Sequence, residues 1–170
     1  LIPDDPDDPM TRRFIEGIHY TEDGAALIDL APNVDWTLYF SRGIEYEMKS
    51  VSVNVSPGET AQVAMTLDRI IDTSGYISGD FHLHARPSLD SSEPLDSRIR
   101  SVVSEGVELL VSTDHNYVTD YAPTLAELEL NQWASSMVGL EMTTLESGHF
   151  NGYPLKPLVG AVTKGEFHSG

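Results

Sequence analysis

The stretch VELLVSTDHN, residues 107–116, decides how this chain is read. Val107 to Val111 form a short apolar run that ends in a polar cluster. A run of that length fits a strand buried on both faces, as in a parallel sheet. In parallel α/β domains the carboxyl ends of the strands carry the site. Ser112, Thr113, Asp114, His115 and Asn116 would stand at such an end, where function explains them better than packing. His115 is the ligand candidate. Asp114 is expected to orient a neighbouring imidazole as a hydrogen-bond acceptor.

The flanking segments supply the rest of that architecture. Leu95, Ile99, Val102 and Val103 recur at helical spacing, and Gly106 is a plausible stop. Asp96 and Ser97 are the cap candidates for this helix. On the other side, residues 123–133 read as a helix with Pro123 at its start and Leu125 and Leu128 on one face. Met137 to Met142 is another buried-strand candidate. With a strand over residues 79–84, the order strand–helix–strand–helix–strand predicts an α/β domain with a parallel sheet over residues 77–170.

Residues 11–76 differ in style and read as β-rich. Thr37, Tyr39 and Phe40 sit in one expected strand. Val51, Val53 and Val55 alternate with polar residues, and so do Val63, Met65 and Leu67, with the turn Pro57-Gly58 between the two runs. That pattern predicts an antiparallel hairpin whose apolar face a small β-sandwich would bury. Asp35 and Trp36 suit a carbohydrate or protein contact, although an isolated Trp more often belongs to a core. Residues 1–10, LIPDDPDDPM, combine prolines and aspartates and read as a linker or frayed end.

Five short elements carry candidate chemistry. In GDFHLH, residues 79–84, His82 and His84 point the same way if the segment is a strand, and paired imidazoles chelate a metal. Taken alone, an HxH also fits satisfied polar residues on a strand. Asp90 follows in PSLDS, where a carboxylate past a strand end can close on a metal held by both histidines. An ordinary turn aspartate is its alternative. His115 lies in STDHN. Glu141, in Gly139-Leu140-Glu141, is an acid in an apolar segment; bridging two cations would remove the cost of burying it. Solvation past the strand end is the alternative. His149 stands in a Gly-flanked loop, GHFNG. Four of the 6 histidines thus fall in these elements; His19 and His168 receive no role.

Composition narrows the function. The formal charge is −17, with 27 acids against 10 bases. This argues against a nucleic-acid backbone or an anionic lipid surface as partner, since both require Lys and Arg. There is no cysteine, so disulfides, thiolate metal sites and a cysteine nucleophile are excluded. No run approaches the roughly 20 apolar residues of a membrane span. Nor does a basic segment followed by an apolar one open the chain, so no targeting segment is expected in these residues.

The order HxH, Asp, TDH, GxE, GH resembles the polymerase-and-histidinol-phosphatase (PHP) superfamily of metal-dependent phosphoesterases. The likeness is to its branch of carbaryl-hydrolase-like metallohydrolases and covers about residues 75–155. It implies a distorted (β/α)7 barrel, often preceded by a small β-sandwich, and two or three divalent ions, Mn, Zn or Fe. On that pattern His82 and His84 hold the first metal, and Glu141 bridges it to a second that His149 also holds. Asp90 and His115 bind on the side of a third. The family's final ligands, a further His and a late Asp-x-His, are not matched, since Glu166-Phe167-His168 does not fit. The resemblance therefore implies a catalytic domain whose C-terminal segment is missing here.

The expected activity is hydrolysis of a small-molecule phosphate ester by a hydroxide shared between two cations roughly 3.5–4 Å apart. Glu141 and His115 are the catalytic candidates at the metals. Arg86, beside the HxH, is a candidate phosphate clamp, with surface packing as its alternative. Hydrolysis of carboxyl or carbamate esters by the same site, and a non-catalytic binding module on a degenerate barrel, are the competing readings. By resemblance alone, the sandwich implies an extracytoplasmic setting.

Overall fold

The computed structural model describes residues 17–144 and 146–156. The linker read over residues 1–10, and Glu166, Phe167 and His168, lie outside the described residues. The chain divides into two compact units, Leu1–Ile71 and Asp72–Gly170.

In the first unit, β1 (Trp36–Phe40) pairs with β2 (Lys49–Val53) in antiparallel register, Leu38 opposite Val51. Both strands coincide with runs whose side chains alternate in polarity. The Pro57-Gly58 turn forms, with the Glu59 N–H on the Ser56 carbonyl and Gly58 at φ +76°. A positive φ at the third turn residue is a conformation glycine adopts without steric cost.

The hairpin expected around that turn does not form. Residues 63–67 enter no ladder, and β2 takes β1 as its partner instead. Period-two alternation tells which side chains share a face but not which strand lies alongside. The following residues return to an earlier segment: Tyr46 bridges Arg69, and the Ile70 N–H reaches the Glu45 carbonyl at 2.8 Å. Trp36 is half-buried and its indole N–H donates to the Ala31 carbonyl at 3.0 Å. Among the described residues this unit holds one two-stranded sheet, with no side chain fully buried, rather than two packed layers.

The second unit is α/β. Strands β3 (Gly79–Leu83), β4 (Leu109–Ser112) and β5 (Ser135–Val138) form a parallel sheet in the order β3-β4-β5. Helix α1 (Leu95–Ser104) connects the first pair and α2 (Ala122–Glu127) the second. Helix α1 buries Ile99 and Val103, four residues apart on one face, against Leu83, Leu110, Tyr121 and Leu125. Each fully buried aliphatic chain of this kind contributes about 1.5–3 kcal/mol. Gly106, at φ +82°, ends the helix with its N–H on the Val103 carbonyl.

Three expectations need correction. Neither Asp96 nor Ser97 caps α1: the cap position is Pro94, Asp96 lies in the first turn, and the Ser97 hydroxyl bonds to Glu93. Proline already restricts the backbone entering the helix, so no side-chain cap defines its start. The second helix ends at Glu127, short of residue 133, because Glu129 turns left-handed at φ +57°.

The strand read over residues 137–142 breaks at Gly139. There β5 leaves the sheet, and β6 (Leu140–Thr144) pairs antiparallel with β7 (Gly148–Gly152). A Cβ at Gly139 would come within 2.6 Å of the Ser112 carbonyl oxygen, so only glycine fits the break. The unit is thus a small parallel sheet with two helices and a separate hairpin, and no closed barrel is present among the described residues.

Candidate metal centre

Two strand ends and one hairpin build the site. Strand β3 carries His82, and His84 follows one residue after it. The register shifts between Asp80 and Leu83, and the two imidazoles lie with centroids 4.8 Å apart. Beyond β4, the His115 ring lies tilted against His84, with centroids 4.7 Å apart. His149 meets His115 edge-on at 4.9 Å. It sits inside β7, opposite Thr143, and not in the loop expected for it.

Glu141 is the centre of this group and is 3% exposed. Its Oε2 lies 2.9 Å from His82 Nε2, 3.0 Å from His84 Nε2 and 3.5 Å from His115 Nδ1. The other oxygen, Oε1, lies 2.7 Å from His149 Nδ1. One buried carboxylate therefore meets four imidazoles. Burial pushes its carboxyl up, but hydrogen bonds from His82 and His149 and the charge on His115 bring it below the ordinary glutamate range.

Asp90 closes the far side. Its Oδ1 is 3.4 Å from His84 Nδ1 and its Oδ2 is 3.3 Å from His115 Nε2. The hydrogen bond from Ser88, with help from the charges on His84 and His115, holds this carboxyl below the usual aspartate range. Three overlapping sets of donor atoms result, each lying within 4.8 Å: His82, His84 and Glu141; His84, Asp90 and His115; His115, Glu141 and His149. These sets could hold a metal ion. All six ligand candidates converge, though they span the chain from 82 to 149.

The proton count leaves a place for one more proton or a metal ion between His84 and Glu141. The buried Ser88 hydroxyl has one hydrogen, and it donates to Asp90 Oδ1 at 2.6 Å. Ser88 Oγ in turn accepts the His115 backbone N–H at 3.1 Å and faces His84 Nδ1 at 2.9 Å. With the Ser88 proton committed, His84 Nδ1 is the donor in that pair. Without a second ring proton, His84 would then turn a lone pair at Nε2 toward the Glu141 carboxylate. Two acceptors facing each other require a proton or a metal ion between them. Imidazole and carboxylate donors suit a divalent metal ion.

Three positions expected near the chemistry, or overlooked, play supporting parts. Asp114 is fully buried but touches no imidazole. It accepts the Ala85 N–H at 2.7 Å and the Thr119 hydroxyl, so it ties the chain after His84 to the loop after β4. Burial raises its carboxyl above the usual range despite both hydrogen bonds. Asn116, at φ +51°, pairs its side-chain amide with both backbone groups of Thr143, at 3.0 and 3.1 Å. With the Asn116 N–H on the Glu141 carbonyl, this pairing fastens the hairpin to the segment after β4. Thr143 also hydrogen-bonds His115 Nδ1.

Ser88 and Thr143 were not singled out by the sequence reading, and Asn116 was read only as a member of the STDHN cluster. Ser88 carried one signal, its place between the candidate ligands His84 and Asp90. Arg86 lines a groove whose lining includes none of the six ligand candidates.

No family model, curated protein or solved structure matches the chain. No helix among the described residues is long and apolar enough to cross a membrane.

Proposed function

We propose that the chain belongs to a PHP-superfamily metal-dependent hydrolase, part of a (β/α)7 barrel, and that it cleaves phosphate esters with two or three Mn, Zn or Fe ions. The observation that carries this reading is the convergence of four imidazoles on both oxygens of one buried carboxylate, Glu141. A divalent ion held there makes water acidic near neutral pH and offsets negative charge on ester oxygens.

The chain's own residues do the positioning. Glu141 belongs to two donor sets and couples them, as a bridging carboxylate does. His115 also belongs to two, linking the Glu141 side to the Asp90 side. Ser88 fixes the ring orientation of His84 through Nδ1, which leaves Nε2 for a ligand. The absence of cysteine agrees with attack by water rather than by a thiolate.

Metal analysis of protein loaded with Mn2+ or Zn2+, followed by a panel of phosphate monoesters, phosphodiesters, aryl carboxyl esters and carbamates, tests the reading. The expected result is at least two ions per chain and phosphate-ester turnover that His84→Ala abolishes. Turnover confined to carboxyl or carbamate esters would transfer the same site to that chemistry. A protein that takes up no metal would leave a non-catalytic binding module.

A further inference from the structure

An open groove of about 510 Å3 is lined by residues close in sequence to the candidate metal ligands, and none of the six ligand side chains lines it. Arg86, Pro87, Pro94, Leu95, Asp96 and Tyr117 line it. Its walls come from the two segments that carry the His84, Asp90 and His115 set. Arg86 is two residues after His84, Tyr117 is two after His115, and Asp90 lies in the loop between Pro87 and Pro94. A molecule whose reacting group reached those ligands would extend into this groove.

The lining states what that extension looks like. Two prolines, a leucine and a tyrosine offer flat, mostly apolar surface, which suits an aromatic ring. Arg86 is exposed and its guanidinium makes no hydrogen bond or ion pair among the described residues. Arg98, by contrast, is committed to the fold, with Nε on the His84 carbonyl at 2.9 Å. In a chain of net charge −17, a cation without an ionic partner among the described residues is unusual. Its planar fork of donors matches a carboxylate or a phosphate. The acid in the groove, Asp96, is accounted for by its place in the first turn of α1, where the helix dipole favours a negative charge.

We infer that the groove binds the alcohol portion of the substrate, an aromatic body with a second anionic group that Arg86 receives. The inference rests on the ester-hydrolase reading above and assigns Arg86 to that distal anion in place of the scissile phosphate.

Two probe pairs test it. The first is 4-hydroxybenzoate against phenol, titrated into the protein by NMR, which needs no turnover. The second is 4-carboxyphenyl phosphate against phenyl phosphate, compared by kcat/KM with Mn2+ present. Wild-type protein is expected to favour the carboxylated member of each pair by about tenfold or more, the worth of one charged hydrogen bond. In Arg86→Gln both preferences fall to near one, and in Arg86→Lys they fall part of the way.

Equal binding of 4-hydroxybenzoate to wild type and Arg86→Gln overturns the inference, whatever the turnover. So does a kcat/KM preference that survives the substitution. If neither phosphate is hydrolysed while 4-hydroxybenzoate binding still depends on Arg86, the hydrolase reading fails and the anion groove stands.

Discussion

His82, His84 and His115 reach the candidate metal centre from a strand or just past strand ends of a sheet backed by a core, whereas Glu141 and His149 reach it from a two-stranded ribbon. On the sheet side, Leu83, Ala85, Leu110 and Val111 are buried around the ligands. On the hairpin side, the face opposite Glu141 and His149 carries Met142 and Phe150, 46% and 52% exposed. An isolated two-stranded hairpin is marginal in water. This one is fastened by the Asn116 amide and by backbone bonds between residues 114–116 and Glu141. The contrast separates two kinds of support: the sheet half is fixed by a shared buried core, and the hairpin half by one buried apolar side chain, Leu140, together with polar bonds to residues 114–116.

The largest effect should come from the residue both halves share. Glu141→Gln removes the carboxylate that meets all four imidazoles, and metal affinity should fall on the order of a thousandfold. That exceeds the roughly 10–100-fold lost with a residue that only orients a ligand. Metal titration by calorimetry reads this, and retention of full affinity would break the picture of a site bridged across the two halves.

Asp114→Ala should cost about 3 kcal/mol in urea unfolding, because it strands the buried Ala85 N–H and Thr119 hydroxyl. Its pH dependence has a defined sign. Burial makes the folded protein hold the Asp114 proton more tightly than the unfolded chain. The stability this brings is complete below the ordinary aspartate pKa of about 3.9 and is lost as pH rises through the raised value. Asp114→Asn lacks that component. It should therefore compare more favourably with wild type at pH 6 than at pH 3; the opposite trend would show that the Asp114 charge is favoured by the fold.

Ser88→Ala tests orientation separately from burial. It removes the hydroxyl shared by His84, Asp90 and the His115 N–H. Metal affinity should drop about 10–100-fold, a smaller loss than for Glu141→Gln. The Asp90 carboxyl should also titrate closer to its ordinary value, since the Ser88 hydrogen bond is the main cause of its depression. The smallest effect belongs to the outer face of the hairpin. Met142→Thr should change stability by no more than about 0.5 kcal/mol, as for an exposed site without partners of consequence. A larger loss would mean that this face is covered in solution.

Much of the sheet half was legible because its signals are local. The apolar run before STDHN gave β4, and the spacing of Leu95, Ile99 and Val103 gave α1 with its stop at Gly106. The hairpin half was less legible. Residues 137–142 read as one strand because apolar content does not reveal a change of partner at Gly139. His149 read as a loop residue because its glycine neighbours suggested a turn, whereas Gly148 and Gly152 are the ends of β7. In the first unit the same ambiguity joined the wrong runs around Pro57-Gly58.

The sequence by itself determined the donor types, their order and the excess of negative charge, because these are properties of side chains and spacing. It also picked out several regular segments, β2, α1 and β4 among them, since hydrophobic periodicity is read residue by residue. Only the tertiary structure decided that Glu141 faces four imidazoles, that Asp114 holds backbone instead of a ring, and that Arg86 lines a groove instead of the metal centre. Those outcomes depend on strand partners and on which hydrogen bonds compete for each polar atom. Such choices are made between segments tens of residues apart, and no local pattern encodes them.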